Sequence, residues 1–229
     1  MYRKFLNARS PLRLLEKGLH GGLGRGNVGV VLAGRGTGKT AFLVSVALDD
    51  LLRGGRVLHV SLDQTVSHVR AYYDTVFEDL AHTTGLQDEA QTHAEIDRLR
   101  SIRAYSAERF SPAKLREAVE LESGGEGKPE LIVVEGCDLA AASREDVAAY
   151  NELARTLHAE LWFSTAISSE TVAEIPAGLN DKLDSIQVIL ALEPQADTVG
   201  LRCLKDHENP DPSALRVHLD PKTLFLARG

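Results

Sequence analysis

Cysteine is almost missing from this 229-residue chain: Cys137 and Cys203 stand far apart, and there is no C-x-x-C pair. Such usage fits a reduced, cytoplasmic compartment rather than a disulfide framework. No apolar run approaches the ~18 residues that a membrane-spanning helix needs. The first residues also lack the apolar stretch and small-residue cleavage site of a secretory signal. The histidines show no metal-ligand spacing, residue order gives no Ser/His/Asp arrangement, and no internal repeat is evident. With 43% apolar and 26% charged residues, the composition is that of a soluble globular protein. The length suits one domain, or one with small additions.

Charge is unevenly spread. Residues 1–26 hold Arg3, Lys4, Arg9, Arg13, Lys17 and Arg25 against Glu16 alone, so a net charge of −7 leaves the remainder near −12. An acidic body argues against a broad nucleic-acid surface. The expected organisation is a basic segment, 1–26, packed on or beside a core of 27–229. That segment is either a contact for a partner, an anionic surface or another subunit, or simply a solvated helical face.

The chain is organised around Val28–Thr40, VGVVLAGRGTGKT. An apolar strand pattern runs into Ala33, Gly34, Arg35, Gly36, Thr37, Gly38, Lys39 and Thr40, and a helical pattern, 41–52, follows at once. Strand, glycine-rich loop and helix start together read as a phosphate-binding loop. Backbone N–H groups from Gly34 to Lys39 would turn inward around phosphate oxygens, with Ala41 opening the helix behind them. A side chain at Gly36 or Gly38 would obstruct that approach. The Lys39 ammonium would reach the β- and γ-phosphates, and the Thr40 hydroxyl would ligate Mg²⁺. The motif's first glycine is replaced by Ala33, a small residue at the strand exit.

The remaining pattern alternates. A helix over 11–18 is capped by Ser10 and carries Leu12, Leu14 and Leu15. Strands are expected over 56–62, 102–105, 131–134, 161–167 and 186–192. Helices are expected over 65–81, 87–100, 111–122 and 143–160. A polar loop spans 168–185, and strands over 198–204 and 215–219, with an apolar run at 224–226, close the chain. The fold expected is α/β, with a mostly parallel central sheet flanked by helices and antiparallel C-terminal strands. Val66, Val69, Tyr72, Tyr73, Val76, Phe77 and Leu80 form an apolar stripe that reads as core.

Hydrolysis needs a metal carboxylate, a base for water and a positive charge near the phosphates. Glu135, closing the LIVV strand, is placed to hold Mg²⁺ directly or through water. It is one methylene longer than the usual Asp, and it also reads as an ordinary strand-end acid. Ser164 and Thr165 end the next strand, where they either sense a γ-phosphate or satisfy local backbone groups.

The run GGLGRGNVGVVLAGRGTGKTAF is similar to the opening of the RecA-like ATPases, most closely the KaiC/DnaB/RadA branch. The resemblance extends from about Leu12 to Leu226 and is specific only at the loop. It implies a RecA-like P-loop NTPase fold, ATP with Mg²⁺ as ligand, and a homo-oligomer with ATP at or near subunit interfaces. The family's Ser-x-Glu matches Ser61, Leu62 and Asp63, which assigns the water-activating base to Asp63, one methylene short. Its Lys-x-Arg, which reaches a neighbour's nucleotide, matches Lys205 and His207. An imidazole is a poorer stabiliser of negative charge than a guanidinium. His207 reads equally as a surface-turn histidine.

The family's DNA-binding loops begin here at Gly136 and Ser168. Both are net acidic and lack aromatics, which demotes a recombinase or helicase. The expected function is a self-assembling, KaiC-like nucleotide switch with slow Mg-dependent ATPase activity. The alternatives are a nucleotide-binding interaction protein without turnover, acting on a protein partner, and a DNA-stimulated ATPase using the basic segment. The choice between ATP and GTP is not written in any base-specificity motif.

Overall fold

The structure, a computed structural model, is described for residues 12–124, 127–169, 171–195, 197–212, 217–219 and 226–228. Among these residues nine strands form one sheet in the order β3-β2-β4-β5-β1-β6-β7-β8-β9. The strands are β1 (Val28–Ala33), β2 (Val57–Ser61), β3 (Arg100–Ala104), β4 (Leu131–Glu135), β5 (Glu160–Ala166), β6 (Val188–Pro194), β7 (Val199–Asp206), β8 (Val217–Leu219) and β9 (Leu226–Arg228). The pairs from β3 through to β6 are parallel, and β7, β8 and β9 add on antiparallel. The α/β class, parallel core and antiparallel finish therefore stand as expected.

Among the described residues six α-helices flank the sheet: α1 (Leu12–Gly18), α2 (Lys39–Arg53), α3 (Val66–Thr84), α4 (Glu89–Leu99), α5 (Pro112–Ser123) and α6 (Arg144–Leu157). Alternating strand residues feed two cores. Val31, Val57, Val133 and Trp162 face α1 to α4, while Val30, Leu58, Val134 and Phe163 face α5 and α6. Two-sided burial explains why β1, β2 and β4 are buried at every position and read as mostly apolar runs. Caps set the helix starts: the Thr65, Ser111 and Ser143 side chains accept from the N–H groups of His68, Lys114 and Asp146.

Several expectations need correction. The helix expected over 143–160 stops at Leu157, because His158 turns left-handed (φ 52°) and Glu160 pairs with Leu131 in the sheet. The stretch 168–185 is not all loop: Ala177–Ser185 is 3₁₀-helical with Leu179 and Lys182 buried. Its polarity misled because the Lys182 ammonium satisfies the carbonyls of Ala140 and Gly178. The helix expected over 87–100 ends at Leu99, and Arg100 already belongs to β3. Val66 is 36% exposed, outside the apolar stripe proposed for it. Ser10 and Pro11, and the basic residues Arg3, Lys4 and Arg9, lie outside the described residues. So do Leu215 and residues 224–225.

From 12 to 26 the chain is built into the core. Leu12, Leu15, Leu19 and Leu23 are buried with α2 and the sheet. Arg13 pairs with Glu16 and Asp49, and Arg25 with Glu130, so both of these arginines meet acids of the same chain. No described helix is long and apolar enough to cross a membrane.

Candidate functional site

Parallel strands deliver their carboxyl ends to one edge of the sheet, so the segments after β1, β2, β4 and β5 meet there. Open α/β sheets present their ligand crevice on this edge. The loop after β1 is Gly34–Gly38, and α2 begins at Lys39. Gly38 (φ 97°) is the N-cap of α2 and supplies no side chain, so no side-chain group competes for the first-turn N–H groups at the helix's positive end. Gly36 holds φ 73°, and a Cβ there would meet no protein atom within 4 Å. Glycine at 36 thus answers to backbone conformation rather than to packing.

Two elements 95 residues apart close on each other here. The Thr40 hydroxyl, in the first turn of α2, donates to Glu135 Oε1 at the end of β4. Glu135 is only 3% exposed. Burial works to raise its carboxyl, but His59, the Thr40 hydroxyl and the Lys39 charge outweigh it and hold the group below the usual carboxylate range. Glu135 Oε2 has no hydrogen-bond partner, and nor does His59 Nε2, 3.5 Å away. A hydroxyl and a carboxylate, both hard oxygen donors, are the ligand set Mg²⁺ takes. The residues fit that ion.

Lys39 is bent back on its own loop, its ammonium donating to Gly34 O at 2.7 Å and Ala33 O at 3.2 Å. Burial lowers its pKa, against the pull of the Asp63 and Glu135 carboxylates. Asp63 follows β2, exposed, and receives the Ser61 hydroxyl at 3.3 Å. Partial burial and the Glu135 charge raise its carboxyl above the usual range, making it the more basic of the two acids.

Gly136 is a site residue that the sequence pattern did not single out. It sits at φ 79°, and a Cβ there would lie 2.9 Å from Asp63 Cγ. Glycine directly after the strand-end acid leaves room for the second carboxylate, and its N–H donates to Ser164 Oγ at 3.1 Å.

No protein-family model matches the chain, and no curated protein does. The site therefore rests on its own geometry. Lys39, Thr40, Asp63 and Glu135 come together on one edge. Lys205 and His207 do not join them. Lys205 pairs with Ile189 and Asp206 with Val188, residues level with Val30 and Gly29 near the amino end of β1. That is roughly 10 Å of strand short of the loop, at about 3.3 Å per residue. There the Lys205 ammonium donates to Ile186 O at 2.7 Å. Asp206 is buried and gathers His207 Nδ1 (2.8 Å), His20 Nδ1 (2.9 Å) and Asn209 Nδ2 (3.1 Å), while His207 Nε2 meets Leu23 O at 3.0 Å. Burial alone would raise Asp206, but these three hydrogen bonds carry it below the usual range.

Ser164 and Thr165 serve the backbone: Ser164 accepts from Gly136 N–H, and Thr165 donates to Cys137 O at 2.7 Å. Burial pushes the Cys137 thiol up to about 12, so it is no nucleophile. The segments after β4 and β5 are tied down. Lys182 is buried on carbonyls, and Arg202 holds Glu193 together with the carbonyls of Val172 and Ala173. Asp74, His93 and Asp97, on two helices, form a group whose spacing the sequence hid. Arg100 already pairs with both acids there.

Proposed function

We propose that the chain binds Mg-ATP at Gly34–Ala41 and hydrolyses it slowly, as a self-assembling nucleotide switch similar in kind to KaiC. The observation that carries this reading is the meeting of Thr40 and Glu135 beside Lys39, at the mouth of a glycine loop that opens a helix. Backbone N–H groups from Gly34 to Lys39, with Arg35 and Thr37 alongside, bind phosphate oxygens, and the Lys39 ammonium exchanges its two carbonyl partners for the β- and γ-phosphates. Thr40 and Glu135 would hold Mg²⁺, which would offset charge on those phosphates.

Asp63 orients a water and accepts its proton as the water oxygen bonds to the γ-phosphorus and the bond to the β-bridging oxygen breaks. Its carboxylate is one methylene shorter than the family's Glu, which draws it back by about 1.5 Å. Misplacement on that scale costs ~10²-fold in rate. Lys205 and His207 stand too far from their own loop to touch its phosphates, so any contact with nucleotide is made across a subunit boundary. A nucleic-acid role draws no support from the loops after β4 and β5, whose described cations are spent on carbonyls and acids.

The test is phosphate release from Mg-ATP over a range of protein concentrations, with Lys39→Ala as control. Slow release per subunit that climbs with concentration and vanishes in Lys39→Ala is expected. Rapid turnover at saturating ATP would sink the assignment of a misplaced base. ATP binding without release would make the chain a nucleotide-gated interaction protein.

A further inference from the structure

Glu135 is longer by one methylene than the residue its place calls for, yet Oε1 still meets Thr40. Something must hold the extra length. The side chain behind it is His59, fully buried on β2 two residues before Ser61, which pairs with Glu135 across the sheet. Its Nδ1 lies 3.0 Å from the Tyr73 hydroxyl, and its Nε2 points at Glu135 Oε2, 3.5 Å away. Neither of those facing atoms has any other hydrogen-bond partner.

Tyr73 is itself fixed. It is fully buried on α3, its ring stands edge-on to the imidazole (5.6 Å, 74°), and the Arg100 guanidinium sits 4.6 Å over its face. Tyr73 is pushed well above the ordinary phenol range by burial, so it keeps its proton and donates it. An imidazole that accepts at Nδ1 carries hydrogen at Nε2. That hydrogen faces the one carboxylate oxygen Thr40 does not use. A shift of about 0.5 Å brings the pair to ordinary N–H···O length, and catalytic-site hydrogen bonds commonly tighten by such amounts when ligand arrives.

We infer that His59 is the positioning residue for Glu135: Tyr73 sets its tautomer, and its Nε2–H anchors Oε2 so that Oε1 stays on Thr40. This rests on the reading of Thr40 and Glu135 as the metal-holding pair. Ligating carboxylates are themselves oriented by hydrogen bonds from outer-shell groups, and loss of such a partner typically costs 10- to 100-fold in metal affinity.

Two measurements decide it. The first uses the ligand-free protein: imidazole ¹⁵N NMR should show His59 protonated at Nε2, with that resonance moving in Glu135→Gln. A bare Nε2, or a resonance indifferent to Glu135→Gln, overturns the inference whatever the protein binds. The second is calorimetric titration of ATP, first in EDTA and then with rising Mg²⁺. His59→Phe should raise the Mg²⁺ midpoint 10- to 100-fold while leaving binding in EDTA unchanged. His59→Gln, whose amide can reach Oε2, should return the midpoint to within about threefold of the parent.

Tyr73→Phe, which removes one hydroxyl and keeps the ring, should shift the midpoint in the same direction by a smaller factor. It serves if His59→Phe does not fold. An unchanged midpoint, or equal losses with and without Mg²⁺, overturns the positioning role. Parent protein that binds no ATP at all would instead refute the proposed function, and the NMR result would still decide the His59–Glu135 contact.

Discussion

Gly29 lies inside β1 directly opposite Trp162 on β5, in the strand that delivers the loop. A Cβ at 29 would fall 2.5, 2.6 and 2.9 Å from three atoms of the indole ring. The ring has nowhere easy to go, because Phe42 of α2 meets it edge-on at 5.8 Å and it is only 2% exposed. Gly29→Ala must therefore push the indole, β1 or α2 out of place. Overpacking of this kind costs about 1–3 kcal/mol, and for a domain of this size each kcal/mol lowers Tm by about 2–4 °C.

The chain contains a single tryptophan, so Trp162 fluorescence reports unfolding in urea and any shift of the ring in the native state. Pairing the change with Trp162→Leu, followed by circular dichroism because that variant has no tryptophan, should relieve the clash, so that the double variant is more stable than the sum of the two losses implies by about 0.5–3 kcal/mol. Gly29→Ala within about 0.5 kcal/mol of the parent, or losses that simply add, would refute the packing argument.

Gly136→Ala places a methyl against Asp63 and forces alanine to positive φ, so urea unfolding should show a loss of about 1–2 kcal/mol; unchanged stability would contradict the close approach of Asp63. Asp63→Glu lengthens the proposed base by one methylene and should raise phosphate release about 10- to 100-fold, whereas a slower variant would deny Asp63 the base's role. Burial raises the Asp50 carboxyl, whose Oδ2 is buried without a partner, and raises Glu160 beside it. The folded chain therefore holds these protons more tightly than the unfolded one. Their contribution to stability is full below the ordinary carboxyl range and is lost as pH climbs through the raised folded values. Asp50→Asn should flatten that decline in urea titrations between pH 4 and 7, and a variant whose pH slope matches the parent would contradict it.

The loop was legible because its chemistry is local: three glycines, a lysine and two threonines in seven residues, between an apolar strand and a helix. Glu135 was legible as the acid that closes a buried apolar strand, and Asp63 through the resemblance of Ser61, Leu62 and Asp63 to a Ser-x-Glu pattern; parallel strands bring both to the same edge. Gly136 and His59 were not, because their roles depend on which strands pair. Nothing local says that residue 136 faces Asp63, or that residue 59 faces Glu135 and Tyr73. His158 ended a helix three residues early by turning left-handed, a conformation that histidine's identity does not announce. No local pattern announces that the cations of Lys182 and Arg202 are held by backbone carbonyls. Lys205 and His207 matched the spacing of a pair that reaches a neighbouring subunit's nucleotide, and β7, running back along the sheet, carries them away from this chain's own loop.

The most direct measurement is the calorimetric affinity for Mg-ATP of the parent chain and of Lys39→Ala. Removing the ammonium takes away charge-assisted hydrogen bonds to the phosphates, so affinity should fall about 10- to 100-fold while the fold, read by Trp162 fluorescence and urea unfolding, stays intact. Equal affinity in the two proteins, or no binding by the parent, would contradict a nucleotide site at Gly34–Ala41.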